Sequence, residues 1–197
     1  KGEAFATGHT RLVQVAPYLP LEVAAVVTDP LDDDAFARFD AALRAKVAGL
    51  GGALTDVVRV TGAGTAETET KVRNALELLL LQRRVPMVII TGASIDDPLS
   101  PVFIALDALG GQLLRHGVPA HPGSMIWLAE LSGGRILGLP RAGAFAGTTA
   151  ADLIFPRLMT GEVLTAESLA ELGHGGLIGA AQRPRFPDYG RGRPRTG

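Results

Sequence analysis

The chain has 197 residues, of which 47% are hydrophobic, and this is enough for one α/β domain with a proper core. A formal net charge of −1 gives no overall field that would favour nucleic acid or an anionic membrane as a partner. The absence of cysteine excludes disulfides, thiolate chemistry and cysteine-ligated zinc. No apolar run approaches the roughly 18 residues of a membrane span, and we predict a cytoplasmic protein.

Residues 1–20 are predicted to form an N-terminal arm or linker. The sequence begins with Lys1 rather than Met, and we expect it to belong to a longer chain in which this arm leads to a fused or partner domain. At the other end, residues 182–197 carry five arginines with Pro and Gly and almost no apolar side chains. We predict a solvated tail there. Arginine-rich segments can fold on RNA, but the tail has little aromatic interleaving, so nucleic acid is disfavoured as a partner.

The region between these ends, residues 21–181, is predicted to be a single α/β domain in which strands and helices alternate. Apolar and β-branched runs predict strands at 22–27, 57–60, 87–90, 113–117, 126–131 and 135–139. Apolar positions at three- and four-residue steps predict helices at 35–48, 67–84, 102–109, 149–159 and 165–172. This order predicts a three-layer α/β/α sandwich with a mostly parallel sheet and a β-ribbon near the C-terminal half, closed by a tight turn at 132–134.

Three consecutive carboxylates, Asp32, Asp33 and Asp34, come directly before the first predicted helix. Carboxylates at a helix N-terminus accept hydrogen bonds from free N–H groups and interact favourably with the helix dipole. A metal site is the alternative interpretation, but no fixed ligand spacing supports it. We therefore predict a capping role.

The stretch from Val85 to Ser100 contains the strongest candidate site. Its strand is apolar without interruption, as expected for a strand buried on both faces. Open α/β sheets bind ligands at the carboxyl ends of such strands, where small residues let backbone N–H groups approach a ligand. The candidate residues that follow the strand are Thr91, Gly92, Ala93, Ser94, Asp96 and Asp97. An ordinary strand-to-helix connection capped by Asp96 or Ser100 is the alternative.

Several well-known sequence motifs are absent. The chain has no G-x-G-x-x-G, no G-x-x-x-x-G-K-[ST] and no G-x-S-x-G, so Rossmann, P-loop and serine-hydrolase functions have no support from motifs. Its four histidines have no metal-ligand spacing. His121 is kept as a candidate because it lies in a loop made rigid by Pro119 and Pro122.

Four short motifs occur in an order and at a spacing that resemble a known family. They are Ile89–Ser94 (IITGAS), Leu109–Val118 (LGG, then HGV), His121–Gly123 (HPG) and Gly138–Pro140 (GLP). Together they resemble the molybdopterin-binding domain shared by MoeA, MogA/MoaB and CinA-type proteins. The resemblance covers about Leu21 to Gly161 and is nearest to a MoeA-like stand-alone or fused branch.

The resemblance implies one pocket at the carboxyl ends of the strands, which holds molybdopterin or a related pterin or nucleotide ligand. Beyond the loop after the central strand, the implied binding residues are Ser100, His121, Pro122, Gly123, Ser124, Pro140 and Arg141. Arg141 either contacts a phosphate or is a solvated loop residue. If group transfer occurs, the resemblance implies Mg²⁺ held by Asp97, with Asp96 as the second catalytic candidate. It also implies self-association into a homo-oligomer.

The chain departs from the family pattern at several positions. Ser100 stands where the enzymatic branches carry an aspartate, and Ala93 and Arg141 replace glycines of the family loops. Three functions therefore follow from the sequence. The first is molybdopterin or molybdenum-cofactor binding in biosynthesis or handling, with or without molybdotransferase-like activity. The alternatives are a non-catalytic cofactor-binding or carrier module and a CinA-like nucleotide-processing domain.

Overall fold

The computed structural model describes residues 15–92, 97–140 and 147–173. These ranges contain six strands and five α-helices, joined mostly by short loops. In chain order they are β1 (Glu22–Val27), α1 (Asp33–Gly49), β2 (Ala53–Arg59), α2 (Thr65–Leu76), β3 (Met87–Thr91), α3 (Pro101–Ala108), β4 (Gln112–His116), β5 (Trp127–Leu131), β6 (Gly134–Leu139), α4 (Ala151–Met159) and α5 (Ala166–Ala170).

The strands form one sheet with the order β2-β1-β3-β6-β5-β4. β1 pairs in parallel with β2 and β3, and β3 pairs in parallel with β6. β5 is antiparallel to both β6 and β4, which confirms the predicted ribbon. Ser132 and Gly133 connect β5 to β6 with positive φ angles of 52° and 84°, the backbone that a two-residue hairpin turn requires.

Helices cover both faces of the sheet, so the predicted three-layer α/β/α sandwich is confirmed. On β3 the side chains alternate: Met87 and Ile89 pack with α1 and α4, whereas Val88 and Ile90 pack with α2 and α3. A strand buried on both sides has no polar face, which explains the uninterrupted apolar run. In the part of the chain that the structure describes, no helix is long and apolar enough to cross a membrane.

Two predicted boundaries are wrong. β2 begins at Ala53, four residues before the predicted start, because it pairs with β1 from Glu22↔Ala53 onward. Backbone pairing, rather than apolar content, defines the start of this edge strand. The helix predicted over 67–84 is α-helical only over Thr65–Leu76 and continues as a π-helical segment, Glu77–Gln82. Its wider turns are closed by a bond from the N–H of Arg83 to the carbonyl oxygen of Leu78.

The capping role predicted for the three aspartates is confirmed for Asp32. Its Oδ1 accepts a hydrogen bond of 2.7 Å from the N–H of Ala35 in the first turn of α1. Asp33 forms an ion pair of 2.7 Å with Arg59 at the end of β2. These contacts hold the start of α1 beside the carboxyl end of β2.

The predictions for the two chain ends are only partly covered by the structure. Residues 1–14 and 174–197 lie outside the described residues, so most of the arm and the whole Arg-rich tail remain predictions. The last part of the arm contacts the domain: Leu19 donates its N–H to the carbonyl oxygen of Met159 at 2.8 Å. The predicted domain limits of 21–181 are not tested by the fold.

Gly138 is required for the packing of the only tryptophan in the chain. Trp127 lies opposite Gly138 in the β5–β6 ladder, and its fully buried indole covers the glycine. A Cβ atom at position 138 would lie 1.8 Å from the Cε2 atom of this ring. The first residue of the Gly-Leu-Pro motif therefore has a packing role in the core.

We predict that Gly138→Ala strongly lowers the free energy of unfolding. The loss should be at least the cost typical of an overpacked core, about 1–3 kcal/mol. The indole cannot move away easily, because Phe103 packs edge-on against it at a centroid distance of 5.1 Å. Urea unfolding measures the loss. The matched control is Gly49→Ala on α1, where an added Cβ meets nothing within 4 Å. Equal stability of the two variants would contradict this account.

Candidate ligand site at the carboxyl ends of the parallel strands

Three parallel strands, β1, β3 and β6, end at the same edge of the sheet. Val27 is in register with Thr91, and Thr91 is in register with Leu139. The residues that follow these positions start three loops side by side. This is the edge at which open α/β sheets bind ligands.

The first two of these loops are joined by hydrogen bonds between Thr28 and Thr91. The carbonyl oxygen of Thr91 accepts bonds from the N–H of Thr28 at 3.2 Å and from its Oγ1 hydroxyl at 2.5 Å. Both donors belong to the residue directly after β1. The end of β3 is therefore held in place by the β1 loop.

Gly92 makes the closest approach between the two loops. Its φ angle is +90°, and a Cβ atom would lie 2.4 Å from Oγ1 of Thr28 and 2.8 Å from the backbone nitrogen of Asp29. The N–H of Gly92 donates to the carbonyl oxygen of Leu139 at 3.2 Å. This N–H therefore continues the hydrogen bonding between β3 and β6 and is not free to bind a ligand in this structure.

Thr91 carries a polar atom that the described structure leaves without a partner. Its side chain is 0% exposed, and its Oγ1 has no hydrogen-bond partner among the described residues. By strand alternation the side chain lies on the same face as that of Ile89, the face covered by α1 and α4. Buried hydroxyls are normally paired, so this atom marks the end of β3 as a place where a further polar group is expected.

Asp97, the main catalytic and metal candidate, has a local structural role. Its Oδ1 accepts the N–H of Leu99 at 2.9 Å, and its carbonyl oxygen accepts the N–H of Ser100 at 3.0 Å. This is the pattern of an Asx turn that leads into α3. The side chain is exposed, and one of its two carboxylate oxygens is engaged in the turn.

Ser100 occupies the N-cap position of α3, but its side chain makes no capping hydrogen bond. The residue is only 7% exposed. Its carbonyl oxygen accepts the N–H groups of Phe103 and Ile104, while Pro101 at the first helical position has no N–H to satisfy. Ser100 therefore lies at the cap position that the alternative interpretation gave it, although its hydroxyl makes no capping bond. The candidates Ala93, Ser94 and Asp96 lie outside the described residues.

The loop with His121, Pro122, Gly123 and Ser124 extends the β4–β5 ribbon. It is closed by a bond from the N–H of Val118 to the carbonyl oxygen of Ser124 at 2.9 Å. The His121–Pro122 peptide bond is cis, and the side chain of His121 is exposed.

This loop is held against the beginning of α4. The carbonyl oxygen of Pro122 accepts the N–H of Ala150 at 2.8 Å. Gly123 has a φ angle of +97°, and a Cβ there would lie 3.0 Å from the same backbone nitrogen. Just before this helix, Oγ1 of Thr149 accepts the N–H of Ala151 at 3.2 Å.

The predicted site residues therefore belong to two groups of contacts. Thr91 and Gly92 lie with the β1 loop and Leu139, whereas Pro122 and Gly123 lie with the start of α4. Pro140 directly follows β6 and is half-buried, and Arg141 lies outside the described residues. The single ring of loops implied by the resemblance remains a prediction. In the described ranges, no group of three or more His, Asp or Glu side chains is arranged to hold a metal ion.

Sequence reasoning missed Thr28. The available signal was the position of a hydroxyl directly after a buried strand, where it can bind the neighbouring strand end. This signal indicates Thr28 as a candidate, but its partner Thr91 cannot be inferred from it because the partner depends on the order of the strands in the sheet.

The fold and the strand ends define a three-layer α/β/α protein with a candidate ligand edge. No protein-family model matches the chain, and no curated protein matches it. A molybdopterin biosynthesis MoeA protein from Pyrococcus horikoshii aligns with 78% of this chain and 37% of its own, at 19% identity and a TM-score of 0.45. The molybdopterin biosynthesis enzyme MoaB from Thermus thermophilus aligns with 72% of this chain and 98% of its own, at 16% identity and a TM-score of 0.44. The chain thus spans little more than a third of the MoeA protein, and similarity of this degree does not assign an activity.

We predict that Gly92→Ala costs more stability than backbone strain alone explains. A left-handed conformation costs a non-glycine residue about 1–2 kcal/mol, and the clash with Thr28 and Asp29 adds to that cost. Gly110→Ala is the matched control, since Gly110 has a φ angle of +75° but nothing within 4 Å of an added Cβ. Urea unfolding of both variants separates the two effects. Equal losses of stability in the two variants would show that the close approach at Gly92 adds nothing to the cost of the substitution.

Proposed function

We propose that the chain binds a molybdopterin-type ligand at the carboxyl ends of β1, β3 and β6, and acts in molybdenum cofactor biosynthesis or handling. The observation that carries this proposal is the unpaired hydroxyl of Thr91, which is buried at the end of the central strand. Native proteins leave few buried polar groups unpaired, and each calls for a partner such as an ordered water, an ion or a ligand. Among the described residues Thr91 shares this state with Asp56, Arg59 and Trp127, and of these four only Thr91 is a candidate site residue. Pterins and phosphates carry the donors and acceptors that a hydroxyl can pair with.

The ordered motifs of the sequence, which resemble a molybdopterin-binding domain, support a pterin ligand. Backbone N–H groups at Ala93 and Ser94 follow the Gly92 turn and are candidates for holding the phosphate, with Arg141 as a charged partner. Gly92 itself contributes close packing of the loop instead of a free N–H. When bound, molybdopterin supplies the dithiolene sulfurs that ligate molybdenum.

A non-catalytic carrier is the second candidate, since the turn into α3 gives the carboxylate of Asp97 a structural role that needs no metal. A Mg²⁺-dependent transfer needs carboxylates that hold the metal against phosphate oxygens. Oδ1 of Asp97 already accepts the N–H of Leu99, which leaves one oxygen of this side chain for a metal. Under this proposal the domain presents the pterin to a partner domain or an apo-enzyme.

Direct binding tests the proposal. Purified molybdopterin and its adenylated form are titrated separately into the protein, with and without Mg²⁺, by calorimetry. Saturable binding of either form supports a pterin site, and tightening by Mg²⁺ and adenylate favours the transferase over the carrier. Binding of ADP-ribose or a pyridine nucleotide without binding of pterin would replace the proposal by the nucleotide-processing alternative. No binding of either pterin form would overturn it.

Thr91→Val is expected to separate ligand binding from stability. Valine keeps the shape of threonine and removes the hydroxyl, which has no protein partner among the described residues. Stability should therefore be unchanged or increased, while ligand affinity falls up to about tenfold, as expected for the loss of one hydrogen bond of about 0.5–1.5 kcal/mol. Thr91→Ser, which keeps the hydroxyl, is the control. Unchanged affinity of the valine variant would remove Thr91 from the site.

Asp97→Asn tests the catalytic alternative. Asparagine keeps an oxygen that can accept the N–H of Leu99, so the turn into α3 should persist. Any Mg²⁺-dependent turnover should be abolished because the negative charge is lost, while pterin binding is retained. Turnover equal to that of the unchanged protein would exclude Asp97 as a metal ligand.

A further inference from the structure

One arginine connects β2 with the loop that borders the candidate site. Arg59 is the last residue of β2 and is in register with Val27, the last residue of β1. Val27 is in turn in register with Thr91 at the end of β3. Side chains in register on parallel strands point to the same face of the sheet. Arg59, Val27 and Thr91 therefore lie side by side on the face that α1 and α4 cover.

The guanidinium of Arg59 contacts the β1 loop (residues 28–32) and the first turn of α1. Its Nη2 donates to the carbonyl oxygen of Leu31, and its Nη1 donates to Oδ1 of Asp33 at 2.7 Å. The carbon at the centre of the guanidinium lies 5.0 Å from the centroid of the Phe36 ring, which is a cation–π contact. A single side chain thus fixes the course of the backbone from the loop into the helix.

The other end of the β1 loop is held by β3. Thr28 donates both its N–H and its hydroxyl to the carbonyl oxygen of Thr91. Gly92 leaves the space in which the backbone of Asp29 lies. The loop is therefore anchored at two points, by Arg59 on the side of β2 and by Thr91 and Gly92 on the side of β3.

The charge of Arg59 alone does not explain why an arginine stands there. Its Nε is buried and has no hydrogen-bond partner in the described ranges, and a buried unpaired donor costs stability. A lysine ammonium could pair with Asp33 without burying this donor. The carboxylate of Asp33 is 96% exposed, and exposed ion pairs contribute little. What only an arginine provides is a rigid fork that binds Leu31 and Asp33 together while it rests on Phe36.

We propose that Arg59 is a positioning residue of the candidate site. Through its contacts with Leu31, Asp33 and Phe36 it fixes the β1 loop, and the loop keeps Thr28 against Thr91. Loss of Arg59 lets Thr28 move away from the end of β3 and weakens ligand binding there. The effect on ligand binding rests on the proposed function, whereas the effect on the loop does not.

Amide hydrogen exchange, followed by NMR without a ligand, tests the effect on the loop. Arg59→Met keeps an apolar contact with Phe36 and removes the bonds to Leu31 and Asp33. The N–H of Thr28, which donates to Thr91, should then exchange at least about tenfold faster, as expected when a charged hydrogen bond that holds the loop is lost. Exchange of Thr28 at the wild-type rate would overturn the proposal.

Arg44→Met is the matched control. Arg44 also forms an ion pair with an aspartate, Asp40, at 2.8 Å, and donates to a backbone carbonyl oxygen of β2, that of Leu54, at 3.2 Å. Leu54 lies near the start of β2, at the opposite end from Arg59. The control should leave the exchange of Thr28 unchanged, and urea unfolding gives the stability that each variant loses. Equally fast exchange of Thr28 in both variants would indicate general destabilisation and contradict a positioning role.

Arg59→Lys separates the fork from the charge. Lysine can pair with Asp33 but cannot also bind Leu31 in the same arrangement. Thr28 should therefore exchange nearly as fast as in the methionine variant. Exchange as slow as in the wild type would show that the charge alone is sufficient and contradict the proposal.

Calorimetric titration with purified molybdopterin tests the effect on the ligand. Arg59→Met should lower the affinity at least about tenfold, and Arg44→Met should bind like the wild type. Equal affinity of the two variants would overturn the positioning role in ligand binding. A wild-type protein that binds no pterin would overturn the proposed function instead, while hydrogen exchange would still decide whether Arg59 holds the loop.

Discussion

The structure depends on the full burial of β3 between two other parallel strands. A strand with both faces and both edges covered can contain only apolar side chains, and all its backbone groups must pair within the sheet. Met87 to Ile90 satisfy this condition with no exposed side chain. Thr91 is the first residue at which the condition fails, because its hydroxyl is buried without a partner in the described chain. The candidate site begins where the apolar strand ends.

Close approaches at glycine support this arrangement on both sides of β3. On one side, Gly92 allows the loop after β3 to lie against Thr28 and Asp29. On the other, Gly138 of β6 leaves room for the indole of Trp127. In both cases a side chain is missing because protein atoms occupy the space. The motifs that resemble a ligand-binding family therefore include residues whose first role is packing.

Much of the fold could be predicted from local pattern. The alternation of apolar strands and amphipathic helices predicted the three layers, and the turn at Ser132 and Gly133 predicted the ribbon. Asp32 could be assigned as a cap because a carboxylate before a helix bonds to N–H groups only three residues away. The start of β2 could not be predicted, since its first residues are held by pairing with β1 and carry no apolar pattern.

The sequence by itself determined which segments are buried, which residues turn the chain and which short motifs follow the strands, because these properties depend on neighbours within a few positions. Only the tertiary structure decided what the site residues contact. The N–H of Gly92 binds Leu139, and the hydroxyl of Thr28 binds Thr91, across sequence separations that no local pattern encodes. The same holds for β4, whose leucines are exposed because the strand order leaves β4 at the edge of the sheet.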